Sequence, residues 1–179
     1  MPARPSPPVR AALLVRAALL VLVAVVVVAV PACTPRPTLA ELDRKLYATS
    51  LPSFDRWWRS EQASANGVSR ATIDRWLASS PGRLDSAAAR ARPWDVSTDL
   101  CSSSPDTGPV FDFRVPCIRH DFAWRNLRRL GGSTRSRRLA ASRQFLADLR
   151  TTCDARALVQ RPACRAFAAS YFAAVSVVS

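Results

Sequence analysis

The chain has 179 residues, a length that holds one domain once a targeting segment is set aside and leaves no room for a second catalytic domain. It carries 26 basic residues against 13 acidic ones, and because Lys45 is the only lysine almost all of the positive charge is arginine. A single histidine and the lack of any Cys-x-x-Cys pair argue against a structural zinc site, and the four cysteines left beside Cys33 suit two disulfides in an exported chain rather than redox chemistry.

At the start, Arg4, Arg10 and Arg16 precede an apolar run from Ala17 to Val30, and the small residues Pro31 and Ala32 follow. This order of charged, apolar and cleavage regions predicts a signal peptide over residues 1–32. A retained anchor with Arg16 at the interface is the alternative, although the run is short for a membrane span. Cys33 follows Val30, Pro31 and Ala32 directly, as the lipidated cysteine does in the lipobox of bacterial lipoproteins. Lipidation of Cys33 and ordinary cleavage therefore both stay open. Losing residues 1–32 removes three arginines, so 23 basic residues then face 13 acids. Such a charge favours anionic surfaces, and export selects a phospholipid membrane or micelle over nucleic acid. A single small domain is expected to work there as a monomer. The arginine- and alanine-rich, lysine-poor composition also fits a high-GC, actinobacterial genome.

Residues 33–66 read as a tether with extra helices, and residues 67–179 as the main domain. Thr34, Pro35, Arg36 and Pro37 form the tether, after which Leu39, Leu42 and Leu46 recur at helical spacing. A second, short helix carries Trp57 and Trp58. A third has Ser69 as N-cap, Ile73, Trp76 and Leu77 on one side, and Pro81-Gly82 as its stop. Residues 93–116 hold Pro93, Pro105, Gly108, Pro109 and Pro116 and read as one long loop, a feature that in compact domains is usually functional or disordered. Cys101 and Cys117 bracket most of it, which argues for order.

A helix is then predicted from about Cys117 to Leu130, with Cys117, His120, Trp124 and Leu127 on its inner stripe and Gly131-Gly132 as its stop. The next runs from about Arg137 to Thr152, with a seam of Leu139, Ser142, Phe145, Leu146, Leu149 and Cys153. The short turn between the two makes them antiparallel neighbours. A last helix spans about Ala163 to Val178 and carries Phe167, Tyr171 and Val175. The fold class expected is all-α.

His120 and Asp121 are the pair with chemical potential. Two stretches carry a resemblance: Ser97-Thr98-Asp99-Leu100-Cys101, and Cys117-Ile118-Arg119-His120-Asp121-Phe122-Ala123-Trp124-Arg125-Asn126. With the cysteine intervals 101 to 117 and 153 to 164, they resemble the secreted phospholipases A2 of the bacterial and fungal type over roughly residues 68 to 175. The resemblance implies a small disulfide-bonded helical bundle with two antiparallel core helices and a calcium-binding loop. It implies disulfides Cys101–Cys117 and Cys153–Cys164, each contributing on the order of 3 kcal/mol by the chain-entropy model. It also implies calcium held by the Asp99 and Asp121 carboxylates and the Leu100 carbonyl, with waters completing the shell. Neutral His120 would take a proton from the water that attacks the sn-2 ester carbonyl.

The match fails at one place. Where the family has a helical aspartate that accepts a hydrogen bond from the catalytic histidine, this chain has Ser142, and residues 122–147 contain no acid at all. Asp148, six residues further on, is turned about 240° away from the seam. Serine can accept an imidazole N–H but brings no charge to the imidazolium, which predicts activity weakened by about 10-fold to 10³-fold. Trp124 replaces a common tyrosine and is expected to be a wall residue. Arg119 and Arg125 are expected to be structural or headgroup-facing. Arg128, Arg129, Arg135, Arg137 and Arg138, with Arg143, form a basic cluster suited to anionic lipid. Two other functions stay in view: a degenerate calcium- and lipid-binding protein without turnover, and a cationic membrane-perturbing protein.

Overall fold

The computed structural model describes residues 35–79, 84–102 and 104–176. The predicted signal segment with Cys33, and the predicted Pro81-Gly82 stop, lie outside the described residues. Among the described residues there are seven α-helices, one 3₁₀ turn and one small hairpin.

Helix α1 (Leu39–Tyr47) begins at a capping box in which Thr38 and Glu41 satisfy each other's exposed N–H groups, and it buries Leu42 and Leu46. Helix α2 (Leu51–Asn66) starts at the N-cap Ser50 and ends at Gly67, whose φ of +63° gives the left-handed stop. At 16 residues it is longer than the short element expected, because its buried residues Phe54, Trp58, Gln62 and Ala63 include a glutamine that reads as a surface position. Helix α3 (Arg70–Ser79) buries Ile73 and Leu77, but Trp76, expected on the same side, flanks that stripe and is 39% exposed.

The expected long loop holds more order than its prolines suggest. Helix α4 (Ala87–Ala91) precedes it, and strands β1 (Thr107–Gly108) and β2 (Phe111–Asp112) form an antiparallel hairpin within it. Pro116 lies inside helix α5 (Arg114–Arg129), which starts three residues before the predicted Cys117. A proline in the first turn removes only an N–H that would have no helical partner anyway.

Helix α6 (Arg135–Asp154) follows a tight turn in which Gly131 takes φ +68° and Gly132 lies against the Leu39 side chain. Contacts His120 to Phe145 and Trp124 to Arg138 run in opposite chain directions, so α5 and α6 are antiparallel. On α6, Leu139 and Leu146 are only partly covered, whereas Asp148 is buried. After a 3₁₀ turn (Leu158–Gln160), helix α7 (Arg161–Ser176) returns along α6.

Helix α5 is the centre. Its Ile118, Phe122, Ala123 and Leu127 join Leu42, Leu46, Phe54 and Trp58 in one core, with the Phe122 ring 5.3–5.5 Å from those of Phe54, Trp57 and Trp94. A second cluster joins Phe111, Phe113, Phe145, Leu149 and Ala168 around both disulfides, Cys101–Cys117 and Cys153–Cys164. Full burial of each large apolar side chain contributes about 1.5–3 kcal/mol. The N-terminal helices therefore help to hold α5 in place.

Candidate active site

The segment from Asp95 to Ser102 is laced onto α5 by side chains one turn apart. Asn126, fully buried, accepts the Asp95 N–H (2.9 Å) and donates to the Asp95 carbonyl (2.8 Å). From the other side, α2 donates to the Val96 carbonyl through the Trp58 indole (2.9 Å) and the Gln62 amide. The Cys101–Cys117 bridge closes the far end.

Within this frame Asp121 meets the loop directly. Its Oδ2 accepts the Thr98 hydroxyl (2.7 Å) and the Asp99 backbone N–H (3.0 Å). Thr98 Oγ1 in turn accepts the Leu100 N–H (3.0 Å). These bonds hold Leu100 at φ +58°, a left-handed backbone that few non-glycine residues adopt. Arg125 reaches across from α5 to donate to Asp99 Oδ1 (2.5 Å) and Ser97 Oγ (3.1 Å), and Ser102 donates to Asp99 Oδ2 (2.9 Å).

Asp99, Leu100, His120, Asp121, Trp124 and Phe145 all line one cavity of about 530 Å³, within the size range of small-molecule sites. Tyr171, Ala174 and Val175 of α7 give it an apolar wall, and Tyr171 fastens that wall by donating to the Pro105 carbonyl. His120 is covered by the Phe145 ring, 4.8 Å away, and burial lowers its pKa to about 4, so the imidazole is neutral at neutral pH. Its Nε2 accepts a hydrogen bond from the Trp124 indole N–H at 2.9 Å. Ser142 is buried on α6 one turn before Phe145 and is not among the side chains lining the cavity.

The two aspartates titrate differently. Burial pushes Asp121 up to about 7, against its bonds from Thr98 and Asp99. Burial also opposes ionisation of Asp99, but its bonds from Ser102 and Arg125 outweigh this and hold it below the ordinary carboxylate range. The donors around the loop are all oxygen, which suits a hard cation such as calcium rather than zinc. Among the described residues no group of three His, Cys, Asp or Glu side chains is placed to hold a metal. Two carboxylates and the Leu100 carbonyl would therefore need solvent oxygens to complete a shell, and Arg125 already shares Asp99.

The remaining expected residues are spread more widely. Arg128 lines the cavity. Arg129 donates to the Arg90 carbonyl, Arg137 pairs with Asp43, and Arg138 donates to the Ser133 carbonyl and sits 5.9 Å from the Trp124 ring. Arg135 is exposed. Arg119 is 2% exposed and faces the core, so it cannot meet a headgroup. Thr98, Arg125 and Asn126 all lie inside the two recognised motifs, but nothing in the spacing alone shows that they bind the loop to the helix.

A family model for prokaryotic phospholipase A2 matches residues 73–179. The chain belongs to that family. A secretory phospholipase A2 of the fungus Arthroderma benhamiae is 40% identical over 95 residues, which cover 51% of this chain and 64% of that protein. The family match takes in every cavity-lining residue named above, while α1, which packs on α5, and α2, which bonds to the loop from behind, precede it.

Proposed function

We propose that this family member is an exported, calcium-dependent hydrolase that releases the sn-2 fatty acid of glycerophospholipids, with turnover weakened at Ser142. The observation that carries the reading is the convergence of His120, Asp121 and the Asp99–Leu100 loop on one cavity. Neutral His120 would take the proton of the attacking water. Asp99, Asp121 and the Leu100 carbonyl would hold calcium, which when bound polarises an ester carbonyl and steadies the oxyanion. Tyr171, Ala174 and Val175 would lie along an acyl chain, and Phe145 would exclude water from the imidazole face. Residues 1–32 would serve as the export leader, with Cys33 lipidated or simply exposed by cleavage, and residues 67–179 as the hydrolase unit. The relative described above is a secretory protein, which supports export.

The partner would be a phospholipid surface, with a preference for anionic lipid and no requirement for a second copy of the chain. From Ala155 to Ser179 there is no acidic residue, and this stretch contains Arg156, Arg161 and Arg165. It also exposes Leu158 (76%), Val159 (86%) and Phe167 (44%), and it leads along α7 to the cavity wall. Such a surface suits headgroups and the outer acyl layer together.

A second reading, a calcium- and lipid-binding protein without turnover, is favoured by Ser142 and by the shared state of Asp99. Fatty-acid release from mixed phospholipid vesicles, in calcium and in chelator, separates the two. We expect calcium-dependent release that falls by roughly 10²-fold to 10⁴-fold in His120→Ala. Release that ignores both chelator and the substitution would sink the enzymatic reading, and calcium binding by calorimetry without release would establish the second.

A further inference from the structure

The imidazole of His120 makes a bond of unusual polarity for a base. A neutral imidazole has one N–H and one lone pair, and the hydrogen bond made at one nitrogen decides which tautomer is held. An indole N–H can only donate. Because Trp124 donates to Nε2 at 2.9 Å, that nitrogen carries the lone pair and Nδ1 carries the proton. The two residues are four apart on α5, so the helix itself sets them one above the other. Trp124 also lines the cavity, with the Arg138 guanidinium 5.9 Å from its ring.

We propose that Trp124 is the residue that orients His120, and that it does so in the tautomer that restrains proton abstraction. This rests on the reading of His120 as the base. An acceptor beside the ring, such as an aspartate, engages the ring N–H and leaves the lone pair free for water. A donor does the reverse: it occupies the only lone pair and leaves an N–H at the other nitrogen. Two routes can then make His120 a base. The indole can withdraw from Nε2, or the ring proton can move from Nδ1 to Nε2, which brings two N–H groups face to face and forfeits the bond. Each route adds to the barrier, so Trp124 is a positioning residue whose bond must break before water is activated. The missing acid at Ser142 and the donor at Trp124 thus act in the same direction, since neither offers the ring a charged acceptor.

The single histidine makes the test direct. Long-range ¹H–¹⁵N NMR of the ¹⁵N-labelled full chain at neutral pH, without lipid, shows one imidazole pattern, expected to be that of the Nδ1–H tautomer. Trp124→Phe keeps an aromatic wall and removes the donor. It should shift the ring at least several-fold toward Nε2–H and raise kcat on phospholipid vesicles by at least about ten-fold, with KM little changed. An Nε2–H pattern in the native protein overturns the proposal. So does an unchanged pattern in Trp124→Phe, or a changed pattern with no gain in kcat. Should Trp124→Phe not fold, the native pattern alone decides. If no variant hydrolyses lipid, the assignment of His120 as the base fails, while the ring pattern still judges whether Trp124 sets the tautomer.

Discussion

Arg119 and His120 are neighbours on α5 that leave the helix in different directions, and their surroundings could hardly differ more. Arg119 is 2% exposed and donates to the carbonyls of Lys45 (3.2 Å), Leu46 and Thr49 (2.8 Å), where α1 ends and its last carbonyls lack helical partners. Phe54 covers it at 5.3 Å, and Asp148 faces it at 3.6 Å. His120 instead lines an open cavity beside the half-buried Asp121 carboxylate, which carries one loop on its Oδ2. On the sealed side a charge is spent on backbone acceptors and ties residues some 70 positions apart. On the open side, titratable groups are held in place while facing a space that a ligand can fill. A buried charge with several fixed acceptors is structural; one aimed into a cavity is available for chemistry.

The sealed side predicts the largest loss of stability. Arg119→Ala strands Asp148, whose pKa burial already raises to about 6 despite the guanidinium, and uncaps the end of α1. Removing one partner of a buried pair costs about 3–5 kcal/mol. Urea unfolding of the variant should show a loss of that size. Arg119→Met combined with Asp148→Leu should recover much of it, because a packed apolar pair needs no desolvation of charge. A loss below about 1 kcal/mol would mean that α1 is held by its leucines alone and that the contrast between the two sides is overdrawn.

The same contrast explains what was legible in the sequence. Helical period revealed α1, α5, α6 and α7, because each buries a stripe against a neighbour. The 16-residue reach of α2 was hidden because Gln62, fully buried, reads as a surface residue until its amide is seen on the Val96 carbonyl. Pro116 concealed the first turn of α5, since a proline that breaks a helix interior is harmless at its start. Spacing turned Asp148 away from Ser142 but said nothing of Arg119, because a partner on another helix leaves no trace in the period of its own. At the site, two short motifs named His120, Asp121, Asp99 and Leu100. The bond from Arg125 to Asp99 depends on side-chain reach from α5 to the loop, which one-dimensional spacing does not encode, whereas the four-residue step from His120 to Trp124 sets those two side chains together without showing that they bond.

A carboxylate restored to the open side should sharpen the difference further. Ser142→Asp places a charged acceptor on the α6 face that also carries Phe145, within the layer that covers His120. It should raise calcium-dependent release by about 10-fold to 10³-fold, equivalent to about 1.4–4 kcal/mol of barrier. The gain should appear in kcat, because the added charge stabilises an imidazolium that forms only during proton transfer. An unchanged kcat in a folded variant would show that no acid is missing from this site.

The smallest expected effect concerns how the open side meets a membrane. Leu158 and Val159 stand out on a 3₁₀ turn held by the Cys153–Cys164 bridge and by the Arg161 bond to the Arg156 carbonyl (3.0 Å), so little ordering is left for insertion to supply. Partial burial of two aliphatic side chains is worth about 1.4 kcal/mol or more, which is tenfold in partitioning. Leu158→Ser with Val159→Ser should therefore weaken co-sedimentation with vesicles by about ten-fold while leaving hydrolysis of a dispersed short-chain lipid unchanged. Arg128→Gln with Arg135→Gln should act in another way, flattening the dependence on salt and anionic lipid, because screened charge rather than buried area is what it removes. If the serine pair partitions like the native protein and only the glutamine pair weakens, the contact with lipid lies at the α5–α6 turn. The cavity would then open toward the bilayer past Arg128 rather than along α7.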